Sequence, residues 1–155
     1  MFLNPSIRSC TCIQQNLGAA WRSLRLGGSL AVFRMKVTQL LHSSILVQDV
    51  DQARAFYEGV LGLAASPQRP DLGYPGVWYE LGAQQIHVLA LATASQTIHA
   101  EHGGRDRHIA LAIDDIAALK TKLDALKIAY TLSRSGRHAL FCRDPDGNAL
   151  EFVES

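Results

Sequence analysis

Two stretches of this 155-residue chain share one arrangement of apolar and polar positions. "HSSILVQDV" (42–50) and "RHIALAIDDI" (107–116) each put a histidine before an apolar run, an aspartate seven residues after it, and then a helical pattern. In the first, Ile45 and Val47 alternate with Ser44 and Leu46, which predicts a strand within 40–48. Asp49 or Asp51 is placed to cap a helix running to about Leu61, because a short side-chain acceptor satisfies free backbone N–H groups there. Ala53, Phe56, Tyr57 and Val60 share one face of that helix, and Gly62 stops it. After the turn-rich segment "PQRPDLGYPG" (67–76), "VWYEL" and "QIHVLAL" flank "GAQ" and read as a hairpin.

The second half repeats the order. A strand is expected at 108–113 and a helix at 114–127, with Ile116, Leu119, Leu123 and Leu126 as its apolar stripe. Strands follow at about 129–133, 137–142 and 148–153. "RDPDGN" (143–148) is a hairpin turn: Pro145 fixes φ, Asp144 and Asp146 bond nearby backbone, and Gly147 accepts positive φ. Each half therefore reads as strand, helix, three strands, an α+β chain built by internal duplication.

Placing the polar residues on this repeat suggests chemistry. His87 follows His42 by 45 positions and Glu151 follows His108 by 43, so each half offers one such residue on its first strand and one on its last. Alternation along a strand turns His87 away from Ile86 and Val88, His108 away from Ile109 and Leu111, and Glu151 away from Leu150 and Phe152. The apolar neighbours face the helices, which leaves the three imidazoles and the carboxylate on the opposite, concave face. That donor set suits one divalent ion such as Zn, Ni, Mn, Co or Fe, with positions left open for water or substrate. The bland alternative is that each histidine is an ordinary strand residue with a hydrogen-bond partner. His99 and His102, in the polar connection between the halves, and His138, which has no repeat partner, are read as surface residues. Arg105 and Arg107 flank His108 and are candidates to clamp a substrate carboxylate or phosphate. Trp78, Tyr79 and Phe141 are candidate pocket walls, with core packing as the competing explanation.

Composition narrows the function classes. The net charge of +1 hides an asymmetry: residues 1–36 carry Arg8, Arg22, Arg25, Arg34 and Lys36 with no acid. The rest holds ten Lys and Arg against 14 Asp and Glu, a net of −4. A folded part with no basic excess argues against a nucleic-acid partner. Cys10, Cys12 and Cys142 do not make a disulfide framework, which favours a reducing, cytoplasmic setting. No apolar run approaches the roughly 20 residues of a membrane span. Residues 1–36 read as a disordered or mis-assigned extension, Met35 being a natural start. The competing reading of 1–34 is an organellar transit peptide. Residues 37–155 then form a single domain of two modules, 37–92 and 105–155.

Over residues 37–154 the motifs "LLHSSILVQDVDQARAFYEGVLGL", "WYELGAQQIHVLA", "RHIALAIDDI" and "FCRDPDGNALEFVE" together resemble the vicinal oxygen chelate superfamily of glyoxalases, epimerases, fosfomycin-resistance transferases, bleomycin-binding proteins and extradiol dioxygenases. The resemblance implies two βαβββ modules forming a half-open mixed β-barrel around a metal, often with both chains of a homodimer contributing to one site. It implies His42, His87, His108 and Glu151 as metal ligands, and a glyoxalase-like lyase or isomerase acting on a small carbonyl or thiol-adduct substrate. In such an enzyme Glu151 is the catalytic base and the metal stabilises an enediolate. A histidine at 87 departs from the Glu or Gln common there in glyoxalases. Leu46 stands where glyoxalases carry a glutathione-binding arginine, and Leu91 replaces a polar residue, so Arg69, Arg105 and Arg107 are left to supply any anion site. A dioxygenase or thiol transferase using His42, His108 and Glu151 is the alternative, and a non-catalytic small-molecule binder the third class.

Overall fold

The computed structural model describes residues 35–91 and 99–155; the reading of residues 1–34 lies outside them. Gln39–Ser155 forms one compact unit. Its first half contains β1 (His42–Val47), helix α1 (Val50–Arg54) continuing as a π-helical stretch at Ala55–Val60, β2 (Gly76–Leu81) and β3 (Gln84–Ala90). The second contains a 3-10 turn (Gly103–Arg105), β4 (His108–Ile113), α2 (Ile116–Ala125), β5 (Tyr130–Leu132), β6 (Ala139–Arg143) and β7 (Ala149–Glu154).

The duplication is visible in the sheets. In the order β1-β3-β2, β1 runs parallel to β3 and β3 antiparallel to β2; in β4-β7-β6-β5, β4 runs parallel to β7 and the remaining pairs are antiparallel. In each half the first strand therefore lies beside the last. The expected third strand of the first half is reduced to one bridge, Ala65 to Tyr79, with Ser66 N–H donating to the Trp78 carbonyl at 2.7 Å. Beyond Ser66 the chain leaves the sheet for the turn-rich 67–76 segment.

The first helix begins as expected, and the second begins two residues later than expected, at Ile116. Asp49 Oδ1 accepts the N–H groups of Asp51 (2.8 Å) and Gln52 (3.1 Å), and Asp115 Oδ1 accepts that of Ala118 at 2.8 Å. Ala53, Phe56 and Tyr57 are buried from the first helical segment, and Leu119 and Leu123 from the second. Leu126 departs from the predicted stripe and is 52% exposed, because α2 ends at Ala125 and the chain turns through Lys127 at φ 56°.

One core runs through both halves. Ile45, Val47, Phe56, Tyr57, Val77, Tyr79, Ile86 and Val88 join Leu140, Cys142, Leu150 and Phe152. Burial and then the Asp144 charge push the Cys142 thiol up to about 12, so it stays protonated and inert. Polar contacts pin the halves at the 144–148 turn: Tyr57 OH donates to Asp144 Oδ2 (2.9 Å), Gln48 N–H to Asp146 Oδ1 (2.9 Å), and Asn148 Nδ2 to the Leu46 carbonyl (3.0 Å). Asp144, itself only 4% exposed, also accepts the N–H groups of Asp146 (3.0 Å) and Asn148 (2.8 Å) and Asn148 Nδ2 (2.8 Å). No helix among the described residues is long and apolar enough to cross a membrane.

Removing this carboxylate strands several donors at once, one of them a phenol in the core. Asp144→Ala is expected to lower stability by about 2–4 kcal/mol, and Tyr57→Phe by about 1 kcal/mol. Urea unfolding of the two variants beside the parent chain measures both.

Candidate metal centre

The first half brings two of the four candidate ligands together. Register places Trp78 opposite His87 on β2 and β3, and Ser44 of β1 beside His87. Two residues back from Ser44, on the same face of β1, His42 stacks on His87 with ring centroids 4.2 Å apart and planes 10° from parallel. Trp78 stacks on the other side at 4.1 Å and 6°. His87 thus lies in an aromatic ladder, with its Nε2 2.9 Å from Gln85 Oε1. Burial first, then the neighbouring His42 and Arg69, hold His87 below the ordinary imidazole value. It is therefore neutral at neutral pH, the form in which imidazole ligates metals.

The second half brings together the other two. His108 Nε2 lies 3.2 Å from Glu151 Oε2, and the Glu151 side chain is only 5% exposed. His108 Nδ1 lies 2.9 Å from the Asp106 carbonyl oxygen. A carbonyl only accepts, so Nδ1 carries a proton and Nε2 is the nitrogen that faces Glu151. Two acceptors facing each other at this distance call for a cation between them, either a second proton on the ring or a metal. The donor chemistry of this pair fits a divalent ion, with the Asp106 carbonyl in the usual outer-sphere role. Among the described residues, however, no group of three or more His, Cys, Asp or Glu side chains is placed to hold a metal ion. A single chain presents two pairs, His42 with His87 and His108 with Glu151, and does not unite the four.

The remaining candidates are placed differently from one another. Phe141 meets the His108 ring edge-on at 5.4 Å and is covered by the 3-10 turn, where a Cβ at Gly103 would come within 2.9 Å of Phe141 Cβ. Tyr79 belongs to the core. Arg69 gives Nη2 to the Tyr74 carbonyl (2.7 Å) and Nη1 to that of Pro70 (3.3 Å), pinning the 67–76 loop. Arg107 and His108 line a cavity of about 380 Å³ that also takes Leu46, His99, Asp146 and Asn148, but none of His42, His87 or Glu151. Arg105 lines a smaller cavity of about 100 Å³ with His102 and Arg134.

Several residues at the site escaped the sequence reading. His99 is not a free surface histidine: its Nδ1 lies 2.9 Å from Asp106 Oδ2, and it is half-buried. His102 caps the 3-10 turn, accepting the Gly104 N–H at 3.1 Å. His138 is 82% exposed, as expected. Arg143 gives Nη1 to Asp106 Oδ2 (3.0 Å) and to the Gly147 carbonyl (2.7 Å), and Nη2 to the Ala100 carbonyl (2.8 Å). Gly147, at φ 87°, leaves room for the His99 ring, whose Nε2 a Cβ would approach to 2.5 Å. The carboxylate of Asp106 is thus the hub that fixes the carbonyl steering His108. Arg137 also reaches the site, with Nη2 3.3 Å from Glu151 Oε1.

Residues 39–152 match the family model for the Glyoxalase/Bleomycin resistance protein/Dioxygenase superfamily. The chain belongs to this superfamily. A lactoylglutathione lyase of Haemophilus influenzae is 30% identical to it over 126 residues, covering 76% of this chain and 93% of that protein. A glyoxalase family protein from Bacillus anthracis has the same fold, with a TM-score of 0.64 at 24% identity over 79% of this chain and 98% of its own. So does a variant of the fosfomycin resistance protein FosX from Listeria monocytogenes, complexed with Mn(II) and a dihydroxypropylphosphonic acid (TM-score 0.63, 14% identity, 77% and 94% coverage). The two mixed sheets and few helices correspond to the half-open, glyoxalase-like α+β architecture expected of the superfamily.

The Asp106 hub carries a pH dependence. Its bond with His99 first, then the Arg107 N–H and Arg143, hold the carboxyl down at about 2. A depressed carboxylate stabilises the fold above its unfolded value near 3.9 and loses that contribution as pH falls through the folded value. Acid unfolding followed from about pH 4 to about pH 2 is therefore expected to be shallower in Asp106→Asn than in the parent. Parallel slopes would show that this clamp does not contribute.

Proposed function

We propose that the protein is a divalent-metal-dependent, glyoxalase-like lyase or isomerase that moves a proton next to the carbonyl of a small carbonyl or thiol-adduct substrate. The observation that carries this reading is the His108–Glu151 pair: an imidazole whose Nδ1 is held by the Asp106 carbonyl and whose Nε2 faces a buried carboxylate at 3.2 Å. His42 and His87 are the second pair of donors. Because one chain keeps the pairs apart, the site is assembled in a homodimer, with one copy giving His42 and His87 and the other His108 and Glu151.

The metal, one of Zn, Ni, Mn, Co or Fe, would supply Lewis-acid polarisation of the substrate oxygen and offset the negative charge that develops there. The protein's own part is acid–base work and positioning. A Glu151 carboxylate oxygen takes the proton from the carbon beside the carbonyl and returns it to the neighbouring carbon. His108 stays in register for this through Asp106, and Phe141 at its edge limits the movement of the ring. The absence of an arginine at position 46, where Leu46 is 44% exposed, favours a substrate that does not use the glutathione contacts of the lactoylglutathione lyases.

One observation supports a second reading. His87 is already engaged by Gln85 and sandwiched between two rings, which suits a three-ligand set of His42, His108 and Glu151 serving a dioxygenase or thiol transferase. In that case His87→Ala keeps its metal.

Elemental analysis of the purified protein is expected to find about one divalent ion per chain. His108→Ala should weaken metal affinity by at least the roughly 100-fold that loss of an outer-sphere partner alone can cost. Proton exchange into a turned-over carbonyl substrate should disappear in Glu151→Gln. A metal-free protein whose turnover survives His108→Ala would sink the proposal.

A further inference from the structure

Arg137 sits beside Glu151 in a way that charge neutralisation alone does not explain. Its Nη2 lies 3.3 Å from Glu151 Oε1, yet its side chain is 62% exposed while that of Glu151 is 5% exposed. Arg137 Nε donates to Ser135 Oγ at 3.2 Å. Ser135 Oγ is paired with Ser133 Oγ at 2.8 Å, and Ser133 Oγ accepts the Ser135 N–H at 3.2 Å. The short serine turn before β6 thus aims the guanidinium at the carboxylate while leaving its outer end open. Nη1 has no hydrogen-bond partner among the described residues.

Charge decides what that open end meets. With the His108–Glu151 pair alone, Arg137 answers one buried carboxylate. Once a divalent ion is held there, two positive charges from the ion and one from Arg137 face a single negative charge. A planar fork of N–H donors beside a metal, carrying excess positive charge, selects an oxyanion. Among the described residues Arg137 is the arginine that pairs with Glu151; Arg69 gives its Nη groups to the Pro70 and Tyr74 carbonyls, and Arg107 lines the cavity that takes His108.

We propose that Arg137 is the anion-recognising residue of the site, and that the substrate is a small carbonyl compound carrying a carboxylate or phosphonate next to the carbonyl. This deepens the lyase or isomerase reading and rests on it for the metal. Arg137 binds the anionic group through its outer N–H groups, which puts the carbonyl end beside His108 and Glu151. Ser135 holds the guanidinium in line as it moves from Glu151 to the ligand.

The test is calorimetric titration of the full-length, metal-supplemented protein with pyruvate, acetylphosphonate and neutral hydroxyacetone, with bound metal measured in every sample. Arg137→Gln is expected to weaken binding of the preferred anion about tenfold or more. The loss should be larger for the anion than for hydroxyacetone at equal bound metal, and Arg137→Lys should recover part of it. The stronger of the two anions tells carboxylate from phosphonate. Equal anion affinity in parent and Arg137→Gln, or no preference for either anion over hydroxyacetone, overturns the proposal. If the protein holds no metal while anion binding still follows Arg137, the lyase reading fails and the anion site stands; metal binding with anions indifferent to Arg137 gives the reverse.

Discussion

The structure depends on one buried carboxylate. Asp144 lies in the tight turn between β6 and β7, and its oxygens are used inside that turn and by the Tyr57 hydroxyl from the other half of the chain. Desolvation by burial raises its pKa, and the bonds from Asn148 and Tyr57 work against that rise. The phenol responds in the same sense: burial first, then Asp144, drives the Tyr57 pKa upward, so it remains a donor. A charge this deep is tolerable only while every donor stays in place. The geometry of the 144–148 turn and the docking of the first helical segment are therefore one problem with one solution. Since Asn148 and Asp146 extend from this turn to the end of β1, the same solution sets how the first strands of the two halves approach each other.

That approach shapes the candidate site. β1 and β4 are each the edge strand of their sheet, and each begins with a histidine. In each half the next strand in the sheet supplies the second polar residue, His87 from β3 and Glu151 from β7. The duplicated module thus generates a two-donor unit twice, but the units differ in how they are held. His87 is fixed by flat rings on both sides. Glu151 is fixed by charge, between His108 and Arg137. The first unit is a stacked aromatic shelf with imidazole nitrogens on it, and the second is held by charge.

Much of this was legible in the residue pattern because alternation and helix caps are local. The period of two along β3, β4 and β7 correctly sorted His87, His108 and Glu151 from their apolar neighbours, and Asp49 and Asp115 capped the helices they precede. What was not legible depends on distance through space. Nothing local marks Asp106 as the partner of both His99 and Arg143, because those residues lie 7 and 37 positions away. Grouping the four ligand candidates by repeat was sound for the pairs and silent about whether one chain brings the pairs together. Arg137 had a signal that went unused. The sequence reading places 137 and 141 two alternations apart on one expected strand, 137–142, and Phe141 of β6 does pair with Glu151. The third strand of the first half is a single bridge, so the duplication the repeat suggests is incomplete there.

The Trp78–His87–His42 ladder has a consequence for the entropy of capture. An imidazole on an exposed strand face turns about two side-chain bonds, and any ligand it binds must stop that motion. Here the planes of three rings lie within 10° of one another at each contact, so rotation of the middle ring would break two stacks at once. Its orientational freedom is lost when the chain folds. Whatever His87 meets, it meets as a plate whose direction was decided by β2 and β1.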